Sequence, residues 1–366
     1  MNFEDWLVES HLSGKYPLPR LAVHGFLYLY LNIYNRIFPW FGSPTSLKPE
    51  ETDEIAARSK EVMEVHYDRP LEWFTEFLGP TMKYSMGLWE EGAESLEAAQ
   101  TAMMEDVCQK ANIQPGHSVL DIGCGFGSLA EYILRTRPGA KVTGLTMSDT
   151  QANYIRERMV DPGHIFSSDR FRLIQADFNH IQFEIPFNRI VSLGLFEHVS
   201  NLNQALKKIR GFTAPNGYCF LHYIVYQPHE GEGDHPRIDP FMERYIFPGG
   251  RIHAYQELLK YQNDFEVIRN WYLSGRNYSR TARSWLANFL RKPSGTKGLH
   301  PDTARQRRIW EFFLRSCEVL FTVRGGFFYG NGQYLLRPIA KSDSTHIFSH
   351  TREFSNQDGR ASLPES

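Results

Sequence analysis

The sequence predicts an α/β fold in which a doubly wound, mostly parallel sheet of seven strands is covered by helices. Short apolar runs alternate with helical periodicities from about residue 118 onward. The first run, Val119 to Ile122, leads into glycines at every second position, and a helical pattern follows at once. Regular alternation of strands and helices is typical of parallel sheets with crossover helices.

Each predicted element rests on such a pattern, bounded by turn residues or caps. The apolar runs predict strands at 118–122, 141–146, 171–177, 189–194, 218–225, 265–271 and 333–336. Apolar spacing of three and four residues predicts helices at 96–111, from residue 129, and at 151–159, 202–212, 281–290 and 305–319. Ser148 or Asp149 is expected to cap the helix that contains Gln151.

Composition shifts divide the chain into four segments: an aromatic N-terminal helical extension (1–48), a helical cap (49–111), the core (112–339) with a lid insertion around 227–262, and a polar, disordered tail (340–366). The apolar stretch 21–41 carries too many polar residues for a membrane span. We expect it to pack on the core or a partner, with peripheral membrane contact as the alternative.

Bulk composition excludes some classes of function. The 40 Lys and Arg residues balance 42 Asp and Glu residues, so no basic field predicts a nucleic-acid partner. The cysteines form no Cys-x-x-Cys pair, so we expect neither a metal site nor a redox motif. Their spacing, together with a start that lacks a signal-peptide pattern, predicts a cytoplasmic location.

The glycines after the first strand are the strongest functional signal. Gly123, Gly125 and Gly127 allow a tight turn and a close approach to a ligand, and a helix N-terminus follows. The spacing differs from the Gly-x-Gly-x-x-Gly of dinucleotide enzymes. With Asp121 at the strand end, it resembles motif I of class I S-adenosylmethionine (SAM) methyltransferases. The alternative is an ordinary strand-turn-helix joint.

A longer set of motifs resembles the cyclopropane fatty acid synthase family of SAM enzymes, whose plant relatives are coclaurine-type N-methyltransferases. The motifs occur in order between about Val65 and Leu336: His66-Tyr-Asp, Thr81-Met-Lys-Tyr-Ser, the glycine segment, Val142-Thr-Gly-Leu-Thr with Gln151, Phe196-Glu-His-Val, Leu221-His-Tyr-Ile and Tyr245-Ile-Phe-Pro-Gly-Gly. The resemblance implies a Rossmann-like class I methyltransferase fold whose core and helical cap bind SAM.

The predicted cofactor-binding residues lie at strand ends and in the cap. Asp177 ends the third strand, where its carboxylate can accept a hydrogen bond from the adenine amine. The second strand lacks an acid at its end and offers Thr146 and Gln151 instead. The full predicted set is Tyr84, Ser85, Asp121, Gly123, Gly125, Gly127, Thr146, Gln151, Asp177, Phe178 and Leu195.

Four residues are predicted to be catalytic: Glu197, His198, His222 and Tyr278. The resemblance implies a bound bicarbonate ion that acts as general base, held by Glu197, His222, the backbone of Ile224 and Tyr278. Met86 stands where lipid cyclopropane synthases have a cysteine whose main chain helps to bind that ion. Alternatively, Glu197 and His198 cap the following helix, and His222 is a satisfied core histidine.

Three functions therefore compete. The favoured hypothesis is methyl transfer from SAM to an amine nitrogen of a small molecule. The second is a cyclopropane or methyl-branched fatty acyl phospholipid synthase that uses bicarbonate. The third is a SAM-binding scaffold without catalysis, against which the intact glycine segment and Glu197 argue. A homodimer is left open.

Overall fold

A large mixed sheet forms the centre of the computed structural model, which describes residues 3–15, 19–29, 54–56, 58–90, 92–228, 240–291 and 303–340. The strands are β1 (Ser118–Ile122), β2 (Lys141–Thr146), β3 (Phe171–Gln175), β4 (Phe187–Leu193), β5 (Thr213–Tyr226), β6 (His253–Ala254), β7 (Phe265–Ser274) and β8 (Tyr329–Pro338). They lie in the order β3-β2-β1-β4-β5-β8-β7, and β6 pairs with β5.

The pairing is parallel from β3 through β5, and β8 runs antiparallel to both of its neighbours, β5 and β7. The predicted α/β fold with a mostly parallel sheet is therefore confirmed. The eighth strand, β6, is two residues long and was not predicted, because so short a segment carries no periodicity. The carboxyl ends of β1, β2, β3 and β4 meet at one edge, where ligands of such sheets bind.

Helices in the described part of the chain cover both faces of this sheet. They are α1 (Phe3–Ser13), α2 (Arg20–Leu29), α3 (Ser59–Val62), α4 (Leu71–Phe77), α5 (Leu96–Lys110), α6 (Ser128–Thr136), α7 (Asp149–Met159), α8 (Leu202–Phe212), α9 (Pro240–Tyr245), α10 (Gly275–Arg291) and α11 (Thr303–Leu320). A single π-helical turn, Met63–Tyr67, continues α3.

Two hydrophobic cores, one on each face, hold the layers together. Phe220 of β5 belongs to the core formed with α5, α6, α10 and α11, whereas Leu221 and Tyr223 belong to the core formed with α8. This alternation follows from the two-residue period of a strand. Successive side chains of β5 therefore point to opposite faces, and His222 lies on the same face as Phe220.

Several elements are longer than the sequence predicts. β5 and β8 pair from Cys219 opposite Leu336 to Tyr226 opposite Tyr329, so tertiary pairing extends β8 through Gly330 and Gly332, which apolar patterning does not identify as strand. Helix α10 begins at Gly275, six residues before the predicted start at Thr281, because its first turn is mostly polar.

The segment boundaries proposed from composition stay predictions. In the extension, α1 and α2 pack against α11, while residues 30–53 lie outside the described residues. Residues 229–239 of the predicted lid and the tail from 341 also lie outside the described residues. Among the described residues, no helix is long and apolar enough to cross a membrane.

Substitution of Gly127 tests how strictly the turn into α6 requires a glycine. It has φ +83°, and a Cβ there would lie 2.8 Å from Cζ of Phe166. We expect Gly127→Ala to lower the free energy of unfolding by about 2–4 kcal/mol, since backbone strain and overpacking add. The matched control is Gly211→Ala in α8, where a Cβ meets nothing within 4 Å. It should stabilise the protein by about 0.5–1 kcal/mol. Equal urea midpoints for the two variants would contradict this account.

Candidate active site

The glycine turn between β1 and α6 adopts a left-handed backbone at all three glycines. The φ angles of Gly123, Gly125 and Gly127 are 77°, 58° and 83°. The N–H groups of Gly123 and Cys124 both donate to the carbonyl of Leu145 at 2.9 Å, which fixes the turn to β2. A Cβ on Gly125 would meet nothing within 4 Å. The turn therefore presents backbone and open space, as a nucleotide-type ligand requires.

Asp121, the last but one residue of β1, is an unpaired buried acid. It is 2% exposed, and its Oδ2 has no hydrogen-bond partner among the described residues. Burial raises the pKa of Asp121 to about 7. An orphaned carboxylate beside a glycine turn fits a ligand that brings a donor or a positive charge.

At the end of β2, the two residues predicted to replace a ribose-binding acid contact each other. Thr146 Oγ1 donates to Gln151 Oε1 at 2.7 Å. Ser148 caps α7 by accepting from the N–H of Gln151, as predicted, and its hydroxyl also donates to Asp68 Oδ1 at 2.7 Å. The cap is thus tied to the core at the strand end. The role of this pair at a ribose stays a prediction.

Two further predicted residues, Asp177 and Phe178, lie just beyond β3, which ends at Gln175 and not at Asp177 as predicted. Asp177 is half-buried and accepts from the hydroxyl of Ser59 at 3.1 Å and from the N–H of Asn179 at 2.8 Å. Phe178 is buried. The hydrogen bond from Ser59 again connects the cap to a strand end.

The turn after β4 brings the glycine turn and the cap together. A Cβ on Gly123 would lie 3.2 Å from Cβ of Leu195, and one on Gly194 would lie 4.0 Å from Cβ of Ser85. Next to Ser85, the hydroxyl of Tyr84 is hydrogen-bonded to Nε2 of His66 at 2.7 Å. The structure therefore assembles predicted residues from the cap, β1 and β4 at one place.

Glu197 lies in the short 3-10 turn after β4 with one carboxylate oxygen unpaired. Its Oε1 accepts the N–H of Ile224 at 2.8 Å, and its buried Oε2 has no partner among the described residues. Burial raises the pKa of Glu197 to about 7. Helix α8 is capped by Asn201, whose side chain accepts from the N–H of Gln204. Glu197 is therefore not needed as a helix cap.

Beside it, His198 is held by a residue that the sequence analysis did not single out. Nε2 of His198 lies 3.0 Å from the hydroxyl of Tyr67, and Nδ1 has no partner among the described residues. Burial lowers the pKa of His198 to about 4, so the ring is neutral at pH 7. The signal for Tyr67 was its place in the His66-Tyr-Asp motif.

His222 is held by amides from β8. Its Nδ1 contacts Nε2 of Gln333 at 3.2 Å, and its Nε2 contacts Asn331 Nδ2 at 3.1 Å. Gln333 is oriented by neighbours on α5, because it also donates to Asp106 and accepts from Lys110. The Gln333 amide therefore donates to Nδ1, which places the proton of a neutral ring on Nε2. That N–H donates to Asn331 when the Asn331 amide is turned so that its Oδ1, otherwise without a partner among the described residues, faces Nε2.

The residues predicted to hold bicarbonate are only partly free to do so. The N–H of Ile224 already donates to Glu197, and both nitrogens of His222 have amide partners. Tyr278 stacks on Phe321 at 4.2 Å, and its pKa is raised chiefly by burial, with a smaller contribution from the charge of Glu197. Because two of these four groups are engaged, no step below is routed through bicarbonate, which stays a prediction.

Aromatic rings pack around His198 and the neighbouring His66. Phe247, in the predicted lid, lies 4.4 Å from the ring of His66 and 5.6 Å from that of His198. Trp310 of α11 stacks on His66 at 5.1 Å. The N–H of Arg251 donates to the carbonyl of Glu197 at 2.8 Å, which fastens the same lid segment to the site.

A glycine turn, an orphaned acid and four converging strand ends define the class as a SAM-dependent methyltransferase of the class I fold. The sequence matches the family described as mycolic acid cyclopropane synthetase over residues 55–326. The chain belongs to this family, and the predicted family and enzyme class are confirmed.

Relatives of both predicted kinds are similar to the chain. The cyclopropane-fatty-acyl-phospholipid synthase of Escherichia coli K12 is 28% identical over 327 residues, which span 87% of this chain and 80% of the synthase. A crystal structure of coclaurine N-methyltransferase bound to N-methylheliamine and S-adenosylhomocysteine (SAH) has TM-score 0.79 and 25% identity, covering 92% of this chain and 100% of that one. The cyclopropane synthase MmaA2 of Mycobacterium tuberculosis has TM-score 0.64 and 27% identity, covering 75% and 97%.

Gly125 tests whether the open space at the glycine turn is the donor site. Gly125→Ala and Gly116→Ala both place a methyl group at a positive φ with nothing within 4 Å, so each should cost about 1–2 kcal/mol of stability. Only Gly125→Ala should weaken SAH binding, by about tenfold or more, because the methyl group would occupy ligand space. Titration calorimetry measures the SAH affinity of both variants. Equal SAH affinity in the two variants would place the donor elsewhere.

Proposed function

We propose that this methyltransferase transfers a methyl group to an amine nitrogen of a small molecule. When bound, SAM supplies an electrophilic methyl carbon on a sulfonium. The observation that carries the proposal is the unpaired, buried Oε2 of Glu197, flanked by the neutral Tyr67–His198 pair. These groups offer hydrogen-bond acceptors to a molecule that brings N–H donors.

In this proposal Glu197 orients the amine and takes its proton. A carboxylate with a pKa near 7 is matched to proton transfer near neutral pH. The N–H of Ile224 holds Oε1, which leaves Oε2 directed to the acceptor. His198, fixed by Tyr67, supplies a second polar contact. The aromatic rings of Phe247 and Trp310, packed around His66, exclude water and stabilise the positive charge that the nitrogen gains on methylation.

Two comparisons support an amine over an acyl chain. The coclaurine N-methyltransferase structure aligns over 92% of this chain, against 75% for the cyclopropane synthase MmaA2. The alternative is a cyclopropane or methyl-branched fatty acyl phospholipid synthase with bicarbonate as base. It is favoured by the breadth of the match to the Escherichia coli synthase, and would bring peripheral membrane contact through 21–41. A cytoplasmic location agrees with either.

A panel of methyl acceptors distinguishes the proposed N-methyltransferase from the alternative fatty acyl synthase. We expect the purified protein to transfer labelled methyl from SAM to secondary benzylic amines, with SAH formed in equal amount. Vesicles of unsaturated phospholipid, with and without bicarbonate, should give no labelled lipid. Product mass identifies N-methylation by a gain of one methyl group. Labelled cyclopropane or branched acyl chains, with no amine product, would overturn the proposal in favour of the alternative.

Glu197→Gln tests the proton-accepting group. Burial raises the pKa of Glu197 to about 7, so its charged form is lost as pH falls through that value. We expect kcat/KM to rise with pH and level off above about 7, for an acceptor whose own protonation does not change in that range. The variant should lose this inflection and about a hundredfold in kcat/KM.

The control for that experiment is Glu266→Gln. This exposed glutamate on β7 pairs with Arg337, away from the strand ends that form the site. It should retain wild-type activity and the wild-type pH profile. An unchanged profile in Glu197→Gln would remove Glu197 from the reaction.

A further inference from the structure

Lys83 is a buried lysine beside the predicted cofactor segment, and neither the reaction nor the fold described above uses it. The residue is 4% exposed. Its Nζ donates to Ser85 Oγ at 2.5 Å and to the carbonyl of Met86 at 2.8 Å. Both acceptors are neutral, so neither compensates the charge of an ammonium group.

A third N–H of Lys83 is left over. An ammonium group has three donors, and in the described part of the chain Lys83 has no ion pair and no third hydrogen bond. Lys110, which is more exposed, shows the contrasting arrangement, because its Nζ pairs with Asp106 at 2.8 Å and with Gln333 at 2.6 Å. A buried ammonium without an anion costs several kcal/mol, so a ligand is the natural source of compensation.

The surrounding turn fixes Lys83 in this place. Met82, just before it, has φ +51°, a conformation that a non-glycine residue rarely adopts. The buried side chain of Gln100 accepts from the hydroxyl of Thr81 and donates to the carbonyls of Leu78 and Lys83. The lysine is therefore held inward by its backbone and by α5, at a cost in strain that a packing role does not require.

Lys83 lies beside the strand ends where the amino-acid group of the donor is predicted to bind. Ser85, to which Nζ donates, faces Gly194 at the end of β4, and Gly123 at the end of β1 packs against the adjoining Leu195. SAM carries an amino-acid group with one ammonium and one carboxylate. Among the described residues, Asp121 provides an unpaired carboxyl oxygen on this side of the sheet, and Lys83 provides an N–H without a partner.

We propose that Lys83 binds the methionyl carboxylate of the donor through its third N–H, together with the hydroxyl of Ser85. The ligand chemistry is that of a carboxylate, which a bicarbonate ion shares, so the test must separate the two. The inference does not depend on the acceptor that is methylated. Burial lowers the pKa of Lys83 to about 7, and a carboxylate bound at the third N–H would favour the charged form.

The experiment compares the binding of two ligands to two proteins. SAH and its decarboxylated analogue are titrated calorimetrically into wild-type protein and Lys83→Met in bicarbonate-free buffer. We expect Lys83→Met to bind SAH about tenfold to a hundredfold more weakly than wild type, the range for a hydrogen bond to a charged group. Both proteins should bind the decarboxylated analogue equally. Lys83→Arg, which keeps the charge, should recover part of the SAH affinity.

The second part of the experiment tests whether Lys83 binds bicarbonate. If Lys83 holds that ion instead, SAH affinity will be equal in the two proteins, and millimolar bicarbonate will raise the rate of wild type but not of Lys83→Met. This outcome overturns the assignment to the donor. Equal SAH affinity with an equal bicarbonate response removes Lys83 from anion binding altogether. Should Lys83→Met unfold, as judged by circular dichroism, Lys83→Gln and Lys83→Arg give the same comparison. Wild-type SAH binding and methyl transfer, measured alongside, report on the proposed function separately.

Discussion

The site depends on the close approach of two turns, the one after β1 and the one after β4. These strands are neighbours in the sheet, so their carboxyl ends must pass each other within side-chain distance. A Cβ at Gly123 would stand 3.2 Å from Cβ of Leu195, closer than ordinary contacts allow. Glycine at position 123 lets both turns adopt their backbone conformations without a clash. Through Leu195 and Gly194, this contact also sets where Glu197 and Ser85 lie.

Charge pairing in this protein differs between its scaffold and its strand ends. Several buried or half-buried charges in the scaffold have partners of opposite charge, such as Glu76 with Arg307 and Glu257 with Arg251. Buried Arg189 donates to backbone carbonyls instead. At the strand ends, Asp121, Glu197 and Lys83 have no partner of opposite charge among the described residues, although each is well buried. Unpaired buried charges lower stability, so their concentration at one edge of the sheet is better explained by ligand binding than by folding. A bound donor would return part of that free energy to the folded state.

Local sequence patterns predicted the elements and contacts that depend on residues close together in the sequence. β2 and α8 have the predicted bounds, and the contact of Thr146 with Gln151 follows from a strand end and a capped helix only five residues apart. The contacts of Tyr67 with His198 and of Phe247 with His66 join segments far apart in the chain, so no periodicity reports them. Helix α11 shows the same limit. The arginines at 305–308 bind Glu9, Glu76 and the carbonyl of Leu12, because α1 and α4 pack there, and no local pattern identifies these partners.

Donor binding does not distinguish the two acceptors, because the glycine turn and the strand ends would hold the same donor for either reaction. The distinction lies in the polar groups left without partners beside Glu197. An amine brings N–H donors that can satisfy Oε2 of Glu197, and the neutral His198 can offer a further contact through Nδ1. An alkene in an acyl chain brings no donor, so it would leave these atoms desolvated at about 1–3 kcal/mol each unless a separate ion or water filled the gap. Two groups suited to hold such an ion, the N–H of Ile224 and His222, already have protein partners. The hydrogen bonds of the site therefore favour an acceptor that supplies its own donors.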